Sequence, residues 1–252
     1  MINDAWRELH QSRFPELPFD CGNRTDPGIL DTADMRDWST KATTPDQQRI
    51  ESYLDRCDLR AKRILHIGIG NSSLARHFYR RAGEIVGTTV DEPELRVAQG
   101  LGLPNYTAVL HNKYSGQSEA VPGAFDFIVD NNPTSACCCI SHLAELFSFF
   151  DAKLAVAGQF VTEAVGLAWV ASDRDARWSF DFEDLAAAAA AAGFSTYQAT
   201  RNIYVVTRGQ PPRSRLLPSL RHSLRQASSF PRKLIAIMRR PLRIVRRVGP
   251  PR

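Results

Sequence analysis

Two glycines two residues apart, Gly68 and Gly70, close the apolar run of ILHIGIGNSSLA (residues 64–75), and Asn71, Ser72 and Ser73 follow them. Glycine lets the backbone turn sharply and lets a ligand come close without a Cβ in the way. A helix opening near Ser72 would direct its first N–H groups and the positive end of its dipole at the same spot. The stretch therefore reads as a cradle for a polar, nucleotide-like molecule. Further polar residues stand where later apolar runs end: Thr89 and Asp91, His111 and Asn112, then Asp130, Asn131 and Asn132, and finally Glu163. The five cysteines are Cys21, Cys57, Cys137, Cys138 and Cys139. Their odd number and the lack of a CxxC pair indicate neither a disulfide framework nor a metal finger, so reduced thiols and no metal are expected.

The elements that must position these residues alternate in kind. Strands are predicted at 64–69, 84–90, 106–110, 125–130 and 159–163, and helices at 73–81, 93–99, 140–150 and 183–192. Short apolar strands alternating with helices imply a parallel sheet covered on both faces, with ligands bound at the carboxyl ends of the strands. Before the first strand, Thr44-Pro45-Asp46-Gln47 combines an N-cap residue, a proline at the first helical position and a Gln three residues on. Asp181 or Ser179 can cap the alanine-rich helix, and Gly193 is placed to end it in the left-handed conformation. Two last strands, 195–199 and 203–207, are separated by too few residues for a crossover helix and must be antiparallel neighbours.

That combination of turn, element order and closing hairpin, over about residues 50–208, resembles the class I S-adenosylmethionine-dependent methyltransferases. The resemblance implies a Rossmann-like, doubly wound α/β fold of seven strands, parallel except for one C-terminal strand. A dinucleotide dehydrogenase would want glycine where this chain has Ser73. The family likeness implies S-adenosylmethionine as cofactor, with Gly68, Gly70, Asn71 and Ser72 beside its methionine part. It places Thr89 where the family carries a ribose-binding acid, with Asp91 two residues on able to reach the sugar instead, and His66 at a second position usually acidic. Asn112 falls where adenine is contacted, and Asp130 where cofactor and acceptor are reached. Methyl transfer is an in-line displacement that needs a base if the acceptor is a hydroxyl. Asp130 and His142 are the first candidates for that base, ahead of His111 and Glu163. The expected acceptor is a hydroxyl of a small molecule, sugar or glycan, and size and layout resemble the rhizobial nodulation-factor sugar O-methyltransferases. A protein N-methyltransferase and a non-catalytic scaffold are the alternatives.

Charge divides the chain. Residues 209–252 hold 12 of the 32 Lys and Arg and none of the 27 Asp and Glu, so the preceding body is net acidic. The expected organisation is a helical cap or lid over 1–49, the methyltransferase domain over 50–208 and a basic tail over 209–252. Within the tail, residues 231–248 separate an arginine arc from an apolar one, which suits an anionic membrane surface, with nucleic acid a weaker fit. No early signal segment and no uncharged run long enough to span a bilayer is seen, and a cytoplasmic location is expected.

Overall fold

The computed structural model describes residues 3–22, 37–115 and 118–209, which lie in one compact unit. The basic segment 231–248 lies outside the described residues. Among the described residues, no helix is long and apolar enough to cross a membrane.

Helix α1 (Asp4–Arg13) and α2 (Pro45–Leu54) precede β1 (Arg63–Ile67), α3 (Ser73–Phe78), β2 (Glu84–Thr89), α4 (Glu92–Gln99), β3 (Tyr106–Leu110) and β4 (Phe125–Asp130). Then come α5 (Ile140–Lys153), β5 (Leu154–Glu163), α6 (Ala164–Ala168), α7 (Phe182–Ala191), β6 (Phe194–Gln198) and β7 (Ile203–Arg208). The seven strands form one sheet in the order β3-β2-β1-β4-β5-β7-β6. β1 to β5 pair in parallel, while β7 runs antiparallel to both β5 and β6. This is the mixed Rossmann-like sheet that the short link before Ile203 requires.

Side chains alternate across the sheet, as the two-residue period of a strand demands. Leu65, Ile67 and Val86 face a core shared with α1, α5 and α7; Ile64, Ile85 and Val129 face the other core, with Ile50, Leu54, Leu74 and Phe78. α1 and the chain after it contribute to the first core: Trp6 lies 5.8 Å from the Phe147 ring, and Phe14 stacks on Phe180 at 5.0 Å. Trp6 and Phe14 are thus core residues.

Local signals act much as their chemistry dictates, with two exceptions. Asp181 and Asp184 form a reciprocal capping box on α7, and Gly193 follows that helix with φ +82°. Thr44 occupies the N-cap position of α2 but makes no capping bond; its hydroxyl goes to Asp46 instead. β5 begins five residues earlier than its apolar end suggests, because α5 continues to Lys153 and leads directly into it.

Candidate functional site

The carboxyl ends of β1 to β4 open into a cleft of about 470 Å³, within the range of sites that enclose small molecules and cofactors. Gly68, Gly70 and Asn71 come from the turn after β1, Thr89 and Asp91 from the end of β2, Asn112 from beyond β3, and Asp130 from β4. The parallel register brings these sequence-predicted residues to one edge, although they are spread over some sixty positions.

The turn after β1 has positive φ at Gly68 (+72°), Gly70 (+48°) and Ser72 (+58°). A Cβ on Gly68 would meet nothing within 4 Å, so this position is open to a ligand; one on Gly70 would approach Trp38 Cβ at 3.6 Å. The expectation that several free N–H groups point into the cleft needs correction. Gly68 and Ile69 N–H donate to Thr88 O, Ser72 N–H to Ile69 O, and Ser73 N–H to Asn71 Oδ1. That leaves Gly70 and Asn71 as the amide donors of the turn. Ser72 is also turned away: it is fully buried, and its hydroxyl lies 3.1 Å from Tyr106 Oη. Asn71 ties down the chain that crosses the turn, donating from Nδ2 to Lys41 O and Thr43 Oγ1.

At the end of β2 a residue missed by sequence reasoning takes the principal place. Glu94, only 5 % exposed, lines the cleft and reaches back so that Oε2 accepts from Thr89 Oγ1 at 2.6 Å and Oε1 from Trp38 N at 2.9 Å. Burial pushes its carboxyl above the usual range, against the lowering effect of the Thr89 and Trp38 bonds. Asp91 uses Oδ1 as the N-cap of α4, accepting from Glu94 N at 2.9 Å. A buried carboxylate is therefore present at the end of β2, but it arrives from the first turn of the helix. The signal was available in principle, because Glu94 lies three residues after an N-cap Asp, where a side chain turns back toward the strand end.

Asp130 lies in the cleft, 2 % exposed, with Lys113 Nζ 2.7 Å from Oδ2 and Asn132 N donating to Oδ1. Burial raises its carboxyl pKa, and the Lys113 ammonium works against that shift. Nearby, Asn131 Nδ2 donates to Asp46 Oδ2 from the first turn of α2. Asp46 is half-buried; burial raises its pKa, yet hydrogen bonds from Thr44 and Asn131 outweigh that and hold it below the usual value.

Two candidate bases are placed elsewhere. Glu163 is fully buried at the end of β5, where Oε2 accepts from Val165 N and Gly166 N to cap α6 and Oε1 accepts from Arg49 Nε at 2.7 Å. His142 stands in α5 outside the cleft wall, its Nδ1 facing the sulfurs of Cys21, Cys138 and Cys139. Neither side chain faces the cleft, so a proton could not pass directly from an acceptor there to either one.

Several buried polar atoms of the cleft have no hydrogen-bond partner among the described residues: His66 Nδ1, Thr88 Oγ1, both ring nitrogens of His111, and Asn131 Oδ1. Such atoms carry a desolvation cost unless a ligand or water satisfies them. Burial pushes both His66 and His111 down to about 4, with Lys153 adding to the effect at His111, so both rings are neutral at pH 7. Around the mouth stand three exposed apolar side chains, Trp38, Val165 and Trp169.

No protein-family model and no curated protein matches the chain. Solved structures do. The sugar N-methyltransferase KedS8 from Streptoalloteichus sp. aligns at 14% identity over 76% of this chain and 99% of its own, with a TM-score of 0.50. CalS10, an S-adenosylmethionine-bound amino pentose methyltransferase from Micromonospora echinaspora, aligns at 16% over 69% and 92%, with a TM-score of 0.49. The N-methyltransferase NodS from Bradyrhizobium japonicum aligns at 14% over 65% and 95%, with a TM-score of 0.48. The likeness is one of fold, that of the Rossmann-like methyltransferases, and a particular affinity to rhizobial enzymes finds no separate support in it.

Proposed function

We propose that this protein binds S-adenosylmethionine and transfers its methyl group to a small-molecule acceptor, a hydroxyl of a sugar or glycan. The observation that carries the reading is the row of polar groups at the tips of four parallel strands, several of them buried without partners, beside a turn whose first glycine is open to a ligand. The residues fit such a cofactor. The Gly70 and Asn71 amides would hold its carboxylate end, and neutral His66 would accept from its ammonium. Glu94, steadied by Thr89, accepts from the ribose hydroxyls, because a carboxylate can accept several hydrogen bonds at once. Asn112 and His111 would hold the adenine, and the Asp130–Lys113 pair would form the floor between cofactor and acceptor.

The cofactor supplies an electrophilic methyl group; the protein aligns the acceptor and takes its proton. Trp38, Val165 and Trp169 offer an apolar rim against which the face of a sugar ring can lie. Asp46 also stands at this rim, but the hydrogen bonds from Thr44 and Asn131 hold it below the usual carboxylate value and make it a weak base. Asp130, whose carboxyl pKa is raised above the usual value by burial, is the better matched group to receive the hydroxyl proton, with Lys113 beside it.

Isothermal titration of the purified protein with S-adenosylhomocysteine tests the cofactor assignment. Micromolar binding is expected, and no heat and no thermal shift at millimolar ligand would leave a non-catalytic scaffold as the better reading. Incubation with a methyl-labelled donor and separate panels of sugars, lipids and proteins tests the acceptor, with label expected on a sugar hydroxyl.

A further inference from the structure

Behind the loop that follows β4, the fold gathers four side chains that the sequence keeps apart. Cys138 and Cys139 immediately precede α5, His142 lies in its first turn, and Cys21 arrives from the N-terminal arm more than a hundred residues earlier. The sulfurs of Cys21, Cys138 and Cys139 stand 3.6, 3.0 and 3.2 Å from His142 Nδ1, and the four atoms all lie within 4.8 Å of one another. We propose that Cys21, Cys138, Cys139 and His142 form a structural zinc site that clasps the N-terminal arm to the start of α5.

The chemistry of the donor set favours this metal. Three thiolates and one imidazole satisfy a four-coordinate structural zinc, with Zn–S near 2.3 Å and Zn–N near 2.0–2.1 Å. In a tetrahedron those lengths put sulfur and nitrogen about 3.5 Å apart and two sulfurs about 3.8 Å apart. The observed S–N separations differ from that by about half an ångström or less, and the sulfurs, which lie within 4.8 Å of one another, close by up to about an ångström through side-chain rotation. Cys139 and His142 are buried, and Cys21 and Cys138 are half-buried.

The surroundings hold the ligands in place. Ile140 N and Ser141 N donate to Pro18 O and Phe19 O, both at 2.9 Å, and Ser141 Oγ also donates to Phe19 O. The arm is thereby fixed two residues before Cys21. On the other side of the imidazole, Nε2 lies 3.8 Å from Glu145 Oε2. A carboxylate behind the distal nitrogen of a histidine favours the tautomer that leaves Nδ1 to the metal. The same loop lines the cleft through Asn131, Asn132, Ser135 and Ala136, so the metal would brace one wall of the cleft without entering it. On binding, the thiol protons pass to solvent and no redox step is involved.

The test uses the full chain, produced with zinc in the medium, reduced and desalted. Elemental analysis should find about one zinc per chain, and chelation should lower Tm by several degrees and speed proteolysis in the N-terminal arm. Cobalt added to the chelated protein should give the visible bands of a tetrahedral ion and a near-ultraviolet thiolate charge-transfer band. Cys21→Ser and His142→Asn should weaken cobalt binding at least tenfold, whereas Cys57→Ser, on the other face of the sheet, should leave it unchanged. Because cobalt add-back to the wild-type chain needs no variant, the assignment can fail even if every variant misfolds. Zinc well below one per chain with no cobalt spectrum, or an intact mass lowered by a disulfide among these cysteines, would overturn it. Homocysteine-nucleoside binding is a separate readout, so failure of the cofactor reading leaves this one standing.

Discussion

Replacing Glu94 with Gln probes the least expected feature of the cleft. The wild-type carboxylate accepts from Thr89 Oγ1 and Trp38 N and, in the reading proposed above, from the ribose hydroxyls as well. Gln keeps the shape but has one acceptor oxygen and no charge. Hydrogen bonds to a charged group contribute about 1.5–3 kcal/mol, so affinity for S-adenosylhomocysteine should fall about 10- to 150-fold. The free protein should suffer little. Burial raises the Glu94 pKa, so the folded state holds its proton more tightly than the unfolded one. Its carboxylate therefore costs stability progressively as pH climbs from the unfolded value through the folded one, and Gln removes that cost. E94Q should thus gain stability relative to wild type as pH rises from 4 to 7, while losing affinity. Calorimetric titration at pH 7.5 beside urea unfolding at several pH values separates the two. Asp91→Asn, which keeps a capping oxygen for α4, should bind within a few-fold of wild type. If E94Q binds within twofold and D91N loses tenfold or more, Asp91 and not Glu94 meets the sugar, and the reasoning from burial is refuted.

Three further outcomes are expected. His66 has its pKa depressed to about 4, so between pH 6.5 and 4 the unfolded chain binds the extra proton and stability falls as pH falls; by pH 5 this amounts to about 2 kcal/mol, and His66→Asn should lose that share of the acid sensitivity in urea titrations. Gly87→Ala would bring a Cβ to 2.5 Å from Ile69 Cγ2 and 2.7 Å from Tyr106 Oη, directly beneath the glycine turn. It should cost about 1–3 kcal/mol in denaturant unfolding and weaken S-adenosylhomocysteine binding together with it. Glu163→Ala removes the cap of α6 and the partner of Arg49 and should cost about 1–2 kcal/mol. Because Glu163 lies outside the cleft, nucleotide affinity should stay near wild type, and a tenfold loss would contradict that placement.

Much of the fold was readable locally. The short apolar runs at 64–67 and 125–130, the capping residues of α7 and the few residues before Ile203 each act over a handful of positions, so they set strands, a helix start and the antiparallel end of the sheet without reference to the rest of the chain. The edge at which Gly68, Thr89, Asn112 and Asp130 meet followed too, because parallel strands bring their carboxyl ends together. Which groups at that edge remain available to a ligand did not follow. Ser72 and the amides of the turn are taken up by Tyr106, Thr88 and Asn71, and Glu163 by Arg49; such competition is settled by neighbours from distant parts of the chain.

Glu94 and the Cys–His cluster show the same division most plainly. The sequence by itself determined a helix after the second strand and a cysteine run and a histidine around the start of the helix at 140–150. Only the tertiary structure turned Glu94 back over Thr89 and carried Cys21 across to His142. Local patterns encode backbone conformation, whereas a binding site depends on which side chains the packing of remote segments brings within a few ångströms.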